Sequence, residues 1–191
     1  MNILVITQSL WPEGSGGELA TYLYIDLLTK NGVNVKVALA SNNLNNAWAR
    51  LSIYNIPTTG YGKYAIVTPF ALKKLERLIN WADIVYFTGL FALIPLIKCK
   101  YRKPIVVHLH STFPACSIGT SYNLVKNSPC TLNSTFLTCS KCITFYEQFN
   151  GRNTREIFTS GILNSTTGLV YAYFLEQADA VVFVSEFQRA L

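Results

Sequence analysis

The sequence predicts an α/β protein built on a doubly wound parallel sheet, and three observations carry that prediction. Short apolar runs recur at Ile3 to Thr7, Ile84 to Phe87, Ile105 to Leu109 and Ala180 to Val184, and strands covered on both faces read as unbroken runs of this kind. Stretches of helical periodicity separate them, the alternation that builds parallel sheets through crossover helices. The first run also opens into a Gly-rich loop directly before a helical stretch, Gly14-Ser15-Gly16-Gly17-Glu18, a common entry to a ligand-binding βα unit.

In chain order, Ile3 to Thr7 is the first strand. Leu19, Leu23, Leu27 and Leu28 mark an amphipathic helix from about Gly17 to Asn31, stopped by Asn31-Gly32. Val33, Val35, Val37 and Leu39 alternate as a second strand, a polar loop covers Asn42 to Ala47, and Leu51 to Ile56 is a third, short strand. Pro69 to Asn80 follows as a helix whose proline sits in the tolerant first turn. Next come the strand from Ile84 to Phe87, a helix from Leu90 to Cys99, and the strand from Ile105 to Leu109. From Ser111 to about Phe149 the pattern dissolves into an irregular segment rich in Cys, Ser, Thr and Asn, and so long a loop in a compact domain is usually functional or cross-linked. Helical periodicity returns between Asn153 and Gln177, and a buried strand from Ala180 to Val184 precedes Glu186 to Leu191. The expected strand order is 3-2-1-4-5-6, with the first strand central.

A chain of 191 residues fits one compact domain, and 50% hydrophobic with 13% aromatic residues can fill a sizeable core. Only 14% of residues are charged, which excludes disorder and coiled coil and leaves a surface apolar enough to be covered by a partner domain, a subunit or a membrane. The net charge of +6 favours anionic ligands in general. No recognition helix or aromatic-basic platform accompanies it, so no nucleic-acid partner is expected. Lys73, Lys74 and Arg77, and then Lys98, Lys100, Arg102 and Lys103, form basic rims beside apolar stretches. They read either as solvated helix faces or as a peripheral membrane contact. The apolar run from Ile84 to Ile97 contains Gly89 and Pro95 and falls short of the roughly 20 residues a membrane span needs. The N-terminus lacks a signal peptide's positive region and cleavage site, so a cytoplasmic location is expected.

Glycines before a helix N-terminus let backbone N–H groups approach a phosphate, which the helix dipole also favours, although Gly16 and Gly17 equally suit a plain tight turn. A dinucleotide fingerprint fails, because Leu19 stands where its third glycine belongs and Ala38-Leu39-Ala40-Ser41 offers no acidic residue for a ribose. The Walker pattern fails for lack of a following Gly-Lys-Ser/Thr. His108 and His110 end a strand at the sheet's carboxyl edge, on opposite faces, so one can pack inward while the other faces a crevice. Cys116, Cys130, Cys139 and Cys142 share the irregular segment, and Cys139-Ser140-Lys141-Cys142 can present two thiolates to one metal. Structural zinc, two disulfides and free thiols all remain open for these four, and Cys99 is the odd one.

Several features fall in a recognisable order: the first strand into Gly16-Gly17, Ala82-Asp83-Ile84-Val85-Tyr86 leading to Gly89-Leu90, Lys103-Pro104-Ile105-Val106-Val107-His108-Leu109-His110, and Ala178-Asp179-Ala180-Val181-Val182-Phe183-Val184-Ser185. Together they resemble the Rossmann-like N-terminal half of a family 4 glycosyltransferase of the GT-B fold, over nearly all of residues 1–191. Some members of that family carry a Cys-rich insertion after the His-containing strand, which 111–149 resembles. The resemblance implies a retaining transfer from a nucleotide-sugar donor to a glycan or lipid-linked acceptor held by this half, with no cofactor for catalysis. Gly16 and Gly17 are then expected at the donor diphosphate or the reacting sugar and His110 near the donor sugar as the catalytic residue, the two meeting in one crevice. Ser111, where many relatives have Asp, and Glu18 are expected at the cleft or acceptor. The donor's nucleotide site and a Glu-x7-Glu type motif belong to a C-terminal domain, so residues 1–191 are expected to be inactive without one, supplied in cis or in trans. The competing reading is a non-catalytic Rossmann-like module that binds a glycan, nucleotide or protein.

Overall fold

The computed structural model describes residues 1–40, 50–59, 66–112, 116, 121–130, 136–151, 153 and 170–190. They fall into two compact units, Met1–His108 with Gln177–Val182, and Leu109–Glu176 with Phe183–Leu191.

The first unit is the expected doubly wound sheet. Its strands are β1 (Asn2–Thr7), β2 (Asn34–Leu39), β3 (Ser52–Asn55), β6 (Ile84–Phe87), β7 (Ile105–Leu109) and β10 (Ala180–Phe183). They lie in the order β10-β7-β6-β1-β2-β3, and the registered pairs β1–β2, β1–β6, β2–β3 and β6–β7 are all parallel. Numbered along this sheet alone, that order is 3-2-1-4-5-6 with the first strand central. Two further pieces, β4 (Thr58–Thr59) and β5 (Ile66–Val67), make a small antiparallel pair. The expected loop at Asn42 to Ala47 lies outside the described residues.

Alternation along β1 divides the core between two faces. Ile3 and Val5 pack with Val37 and Leu39 of β2, Leu10, and Ile25 of α1 (Gly16–Lys30), while α2 (Pro69–Trp81) contacts β1 and β2. α2 buries Ala71, Leu75, Leu78 and Ile79 on one stripe, and the Thr68 hydroxyl caps its first turn by accepting the Ala71 N–H. The single helix expected from Leu90 to Cys99 is instead a 3-10 turn, Phe91–Leu93, followed by α3 (Ile94–Tyr101). Pro95 explains the division, because a residue without an N–H is tolerated at the start of a helix and not in its interior.

One device fastens two of the strands. Asp83, just before β6, accepts the N–H of Asn2 at 2.8 Å and returns its own N–H to the Asn2 carbonyl at 2.8 Å. Asp179, just before β10, does the same with Ile105: 2.8 Å to the carboxylate and 2.9 Å back to the carbonyl. Both aspartates stand in an Ala-Asp-x-Val sequence, so the shared spelling marks a shared strand-entry clamp. β10 was expected to be buried, yet alternate residues are exposed, Val182 among them. It sits at the sheet's end, with β7 as its one neighbour.

The second unit holds the hairpin β8–β9 (Tyr122–Asn123 with Ser128–Pro129), α4 (Phe136–Phe149), a helix at 170–176 (α5) and α6 (Glu186–Ala190). α4 corrects the expectation of an irregular 111–149. Its Thr, Ser and Cys residues have weak helix propensity, but Ile143 and Glu147, one turn apart, are buried, so tertiary packing overrides that preference. Of the periodicity expected between Asn153 and Gln177, only 153 and 170–177 lie among the described residues.

Candidate functional site

In a sheet of this order the strands on either side of β1 leave in opposite directions, and ligands bind in the crevice opened at the carboxyl ends of that switch point. Here the switch lies between β1 and β6, whose register ends with Ile6 beside Phe87. The loops that follow touch. The Thr88 N–H bonds the Ile6 carbonyl at 3.0 Å, and a Cβ built on Gly89 would stand 3.1 Å from the Gln8 backbone nitrogen. Thr7 is buried, its hydroxyl donating to the Ser9 carbonyl at 3.0 Å, and the Thr88 hydroxyl is buried with no hydrogen-bond partner. A polar atom left in that state costs on the order of 1–3 kcal/mol unless something else satisfies it. Neither Thr88 nor the close fit of Gly89 was anticipated from the sequence, although Phe87-Thr88-Gly89, a strand end running into glycine, was the available signal.

The Gly-rich loop lies at the same edge, and its chemistry is set by Glu18. The carboxylate folds back over the first turn of α1, accepting the Ser15 N–H at 2.7 Å, the Ser15 hydroxyl at 2.9 Å and the Ser9 hydroxyl at 3.1 Å. Burial raises the Glu18 pKa, but these hydrogen bonds outweigh it and hold the carboxyl below its ordinary range, so it is ionised at neutral pH. Gly14 makes room for it: φ is +116°, and a Cβ would lie 2.6 Å from Glu18 Cδ. Gly16 is different, since a Cβ there would meet nothing within 4 Å. The fold therefore requires glycine at 14 but has no steric need of it at 16.

His108 is 2% exposed and its Nδ1 lies 2.6 Å from the Tyr86 hydroxyl, with the Tyr24 ring edge-on at 5.1 Å between centroids. Burial, with a contribution from Tyr24, pushes the Tyr86 pKa up to about 12, so the hydroxyl keeps its proton while hydrogen-bonded to Nδ1. This is the inward-packed histidine of the pair.

His110 and Ser111 belong to the second unit, while Gly16, Gly17 and Glu18 belong to the first. His110 is half-buried directly after β7, and Ser111 is exposed, its carbonyl accepting from the Gln188 side-chain amide. In this second unit Cys116, Cys130, Cys139 and Cys142 are all half-buried and all free thiols, as is exposed Cys99 in the first unit. Burial raises the Cys142 pKa; the Leu124 N–H bonded to its sulfur acts the other way, and the thiols of Cys116, Cys130 and Cys139 add to the rise. As placed, the described residues form no set of three or more His, Cys, Asp or Glu side chains ready to hold a metal.

The basic rims are largely engaged within the protein. Lys98 pairs with Asp179 at 2.5 Å, Lys100 with Glu76 at 3.1 Å, Lys103 donates to the Ala82 carbonyl and Lys74 to that of Asn55. Among the described residues no helix is long and apolar enough to cross a membrane.

No protein-family model and no curated protein matches the sequence. Among solved structures, this chain is similar to Anabaena Alr3699/HepE. The complex with UDP and glucose superposes at a TM-score of 0.43 and 20% identity, over 59% of this chain and 30% of that one. The complex with UDP-glucose gives 0.43 and 16%, over 86% and 40%. This chain thus spans well under half the length of those it matches.

Proposed function

We propose that this chain is the acceptor-side half of a retaining, nucleotide-sugar-dependent glycosyltransferase of the GT-B kind, related to family 4. The observation that carries the reading is the β1–β6 switch point, where a glycine-bearing helix N-terminus, the close approach of Gly89 to the Gln8 backbone and the unpartnered Thr88 hydroxyl lie at one sheet edge. In the reaction the bond from the anomeric carbon to the donor diphosphate breaks and a bond to an acceptor hydroxyl oxygen forms on the same face, the hydroxyl proton passing to the departing diphosphate. The departing diphosphate gains negative charge, which fixed N–H groups at Gly16 and Gly17 would stabilise without reorganising. His110 is the polar group assigned to the sugar, and the nucleotide site is assigned to a C-terminal domain. The acceptor is a glycan or a lipid-linked glycan.

Transfer of labelled sugar from a panel of nucleotide sugars, by the protein paired with a donor domain, tests this. His110→Ala should lower turnover by two orders of magnitude or more, a typical loss for one electrostatic or acid–base group. Gly16→Ala should leave the unfolding midpoint unchanged or raised, because nothing obstructs a methyl there, while weakening donor binding. Full turnover in His110→Ala, with undiminished binding in Gly16→Ala, would overturn the assignment.

One observation favours a second reading, a non-catalytic module for an uncharged ligand: the ionised Glu18 carboxylate already engages the Ser15 N–H at the helix N-terminus. Glycan binding without transfer, in the presence of a donor domain, would support it.

A further inference from the structure

The sequence brings four cysteines into one segment, and all four belong to the second unit. α4 carries Cys139 and Cys142 three residues apart, the spacing that places two side chains on neighbouring positions of one helix face. Against that face lies the tight hairpin β8–β9. The Asn123 side chain accepts the N–H groups of Val125 (3.1 Å) and Lys126 (3.0 Å) within its turn, and its ladder continues from the Tyr122–Pro129 pair to the Cys130 N–H on the Ser121 carbonyl at 2.9 Å. The Cys142 sulfur lies 3.8 Å from the Tyr122 carbonyl and accepts the Leu124 N–H. The hairpin therefore meets the helix at Cys142, one residue along the ladder from Cys130. Cys116 belongs to the same compact unit as the other three. All four are partly shielded from solvent.

We propose that Cys116, Cys130, Cys139 and Cys142 bind one structural zinc ion. Four sulfur ligands are one of the closed tetrahedral sets that hold structural zinc, and a backbone N–H aimed at a ligand sulfur is the kind of surrounding contact that orients such ligands. As placed, the described thiols form no set of three or more that could hold a metal, so the ligands would have to draw together when the metal binds. Binding carries off the thiol protons to solvent and leaves a centre of net charge about −2, and Lys141, between two of the ligands in sequence, is a local counter-charge. The metal would tie hairpin to helix in a segment of low helix propensity. The inference stands independently of the transferase reading, since it concerns metal content and not turnover.

The test uses the full chain, purified with reductant and without chelator. Elemental analysis should give about one zinc per chain, and cobalt added to the metal-free protein should produce the strong visible bands and sulfur-to-metal charge transfer of a tetrahedral thiolate site. Cys99→Ser should leave the zinc content unchanged, whereas Cys139→Ser with Cys142→Ser should bring it to background. The cobalt spectrum of the unaltered chain keeps the test valid if that double variant fails to fold. Zinc-free protein with every thiol titratable and no cobalt spectrum would overturn the proposal. So would iron in place of zinc, or a mass and thiol count showing two disulfides.

Discussion

A carboxylate at a helix N-terminus is favoured by the same N–H groups and dipole that would favour a phosphate, so Glu18 and a diphosphate would draw on the same donors. On the transferase reading, Glu18→Gln should tighten nucleotide-diphosphate binding several-fold at neutral pH, measured by calorimetry. Weakened binding would show that Glu18 contacts the ligand instead. Because its folded pKa is depressed, Glu18 contributes stability above the ordinary carboxylate range and loses it as pH falls through the folded value. The Tyr86–His108 pair behaves in the opposite sense. The folded phenol titrates near 12 and the unfolded one near 10, so folding holds the proton more tightly and stability falls as pH rises from about 10 towards 12. Tyr86→Phe should flatten that alkaline loss and cost about 1 kcal/mol at neutral pH. His108→Ala should cost roughly 2–4 kcal/mol, for the cavity and for the orphaned hydroxyl. Urea titrations across the pH range read both, and an unaltered alkaline limb in Tyr86→Phe would refute the assignment.

At the scale of elements, strand entry depends on the paired aspartate clamps. Asp179 is held below the ordinary carboxylate range first by its hydrogen bond from Lys98 and then by the Ile105 N–H. Its stabilising contribution is therefore present above the unfolded value near 3.8 and disappears as pH falls below it. Asp179→Ala should cost about 1 kcal/mol after allowance for solvent screening and should speed hydrogen exchange in β10 before that in β1. Uniform exchange in both strands would argue against a local clamp. These elements differ in how far they were legible. β1, β6 and β7 were plain because they are unbroken, largely apolar runs, and β2 because Val33, Val35, Val37 and Leu39 alternate. The end strand β10 kept that spelling although one side of it meets solvent, so hydrophobicity overstated its burial. α4 was hidden because its helicity depends on buried Ile143 and Glu147 rather than on the propensity of its Thr, Ser and Cys residues.

For the molecule as a whole, the strand order could be read because parallel connections are right-handed and short, which leaves few topologies for alternating strands and helices. The switch-point contacts could not. Gly89 meets Gln8 across more than eighty residues of sequence, and the orphaned Thr88 hydroxyl is a fact of packing that no local pattern encodes. The division into two units was equally silent in composition, since the first unit resumes at Gln177 after the whole second segment has intervened. The clamp between Ile105 and Asp179 joins positions 74 residues apart, and that separation has an entropic meaning. Closing a chain on itself grows more costly only as the logarithm of its length, about 0.6 kcal/mol for each doubling. As far as closure entropy alone goes, a far shorter connection would serve the sheet. Replacing 111–175 with a flexible crossover of a dozen or so residues, the least that parallel neighbours accept, should leave a sheet that unfolds cooperatively with its stability changed by only a kcal/mol or two. A collapsed, non-cooperative product in urea would show instead that the long excursion is a folding partner of the sheet and not merely its leash.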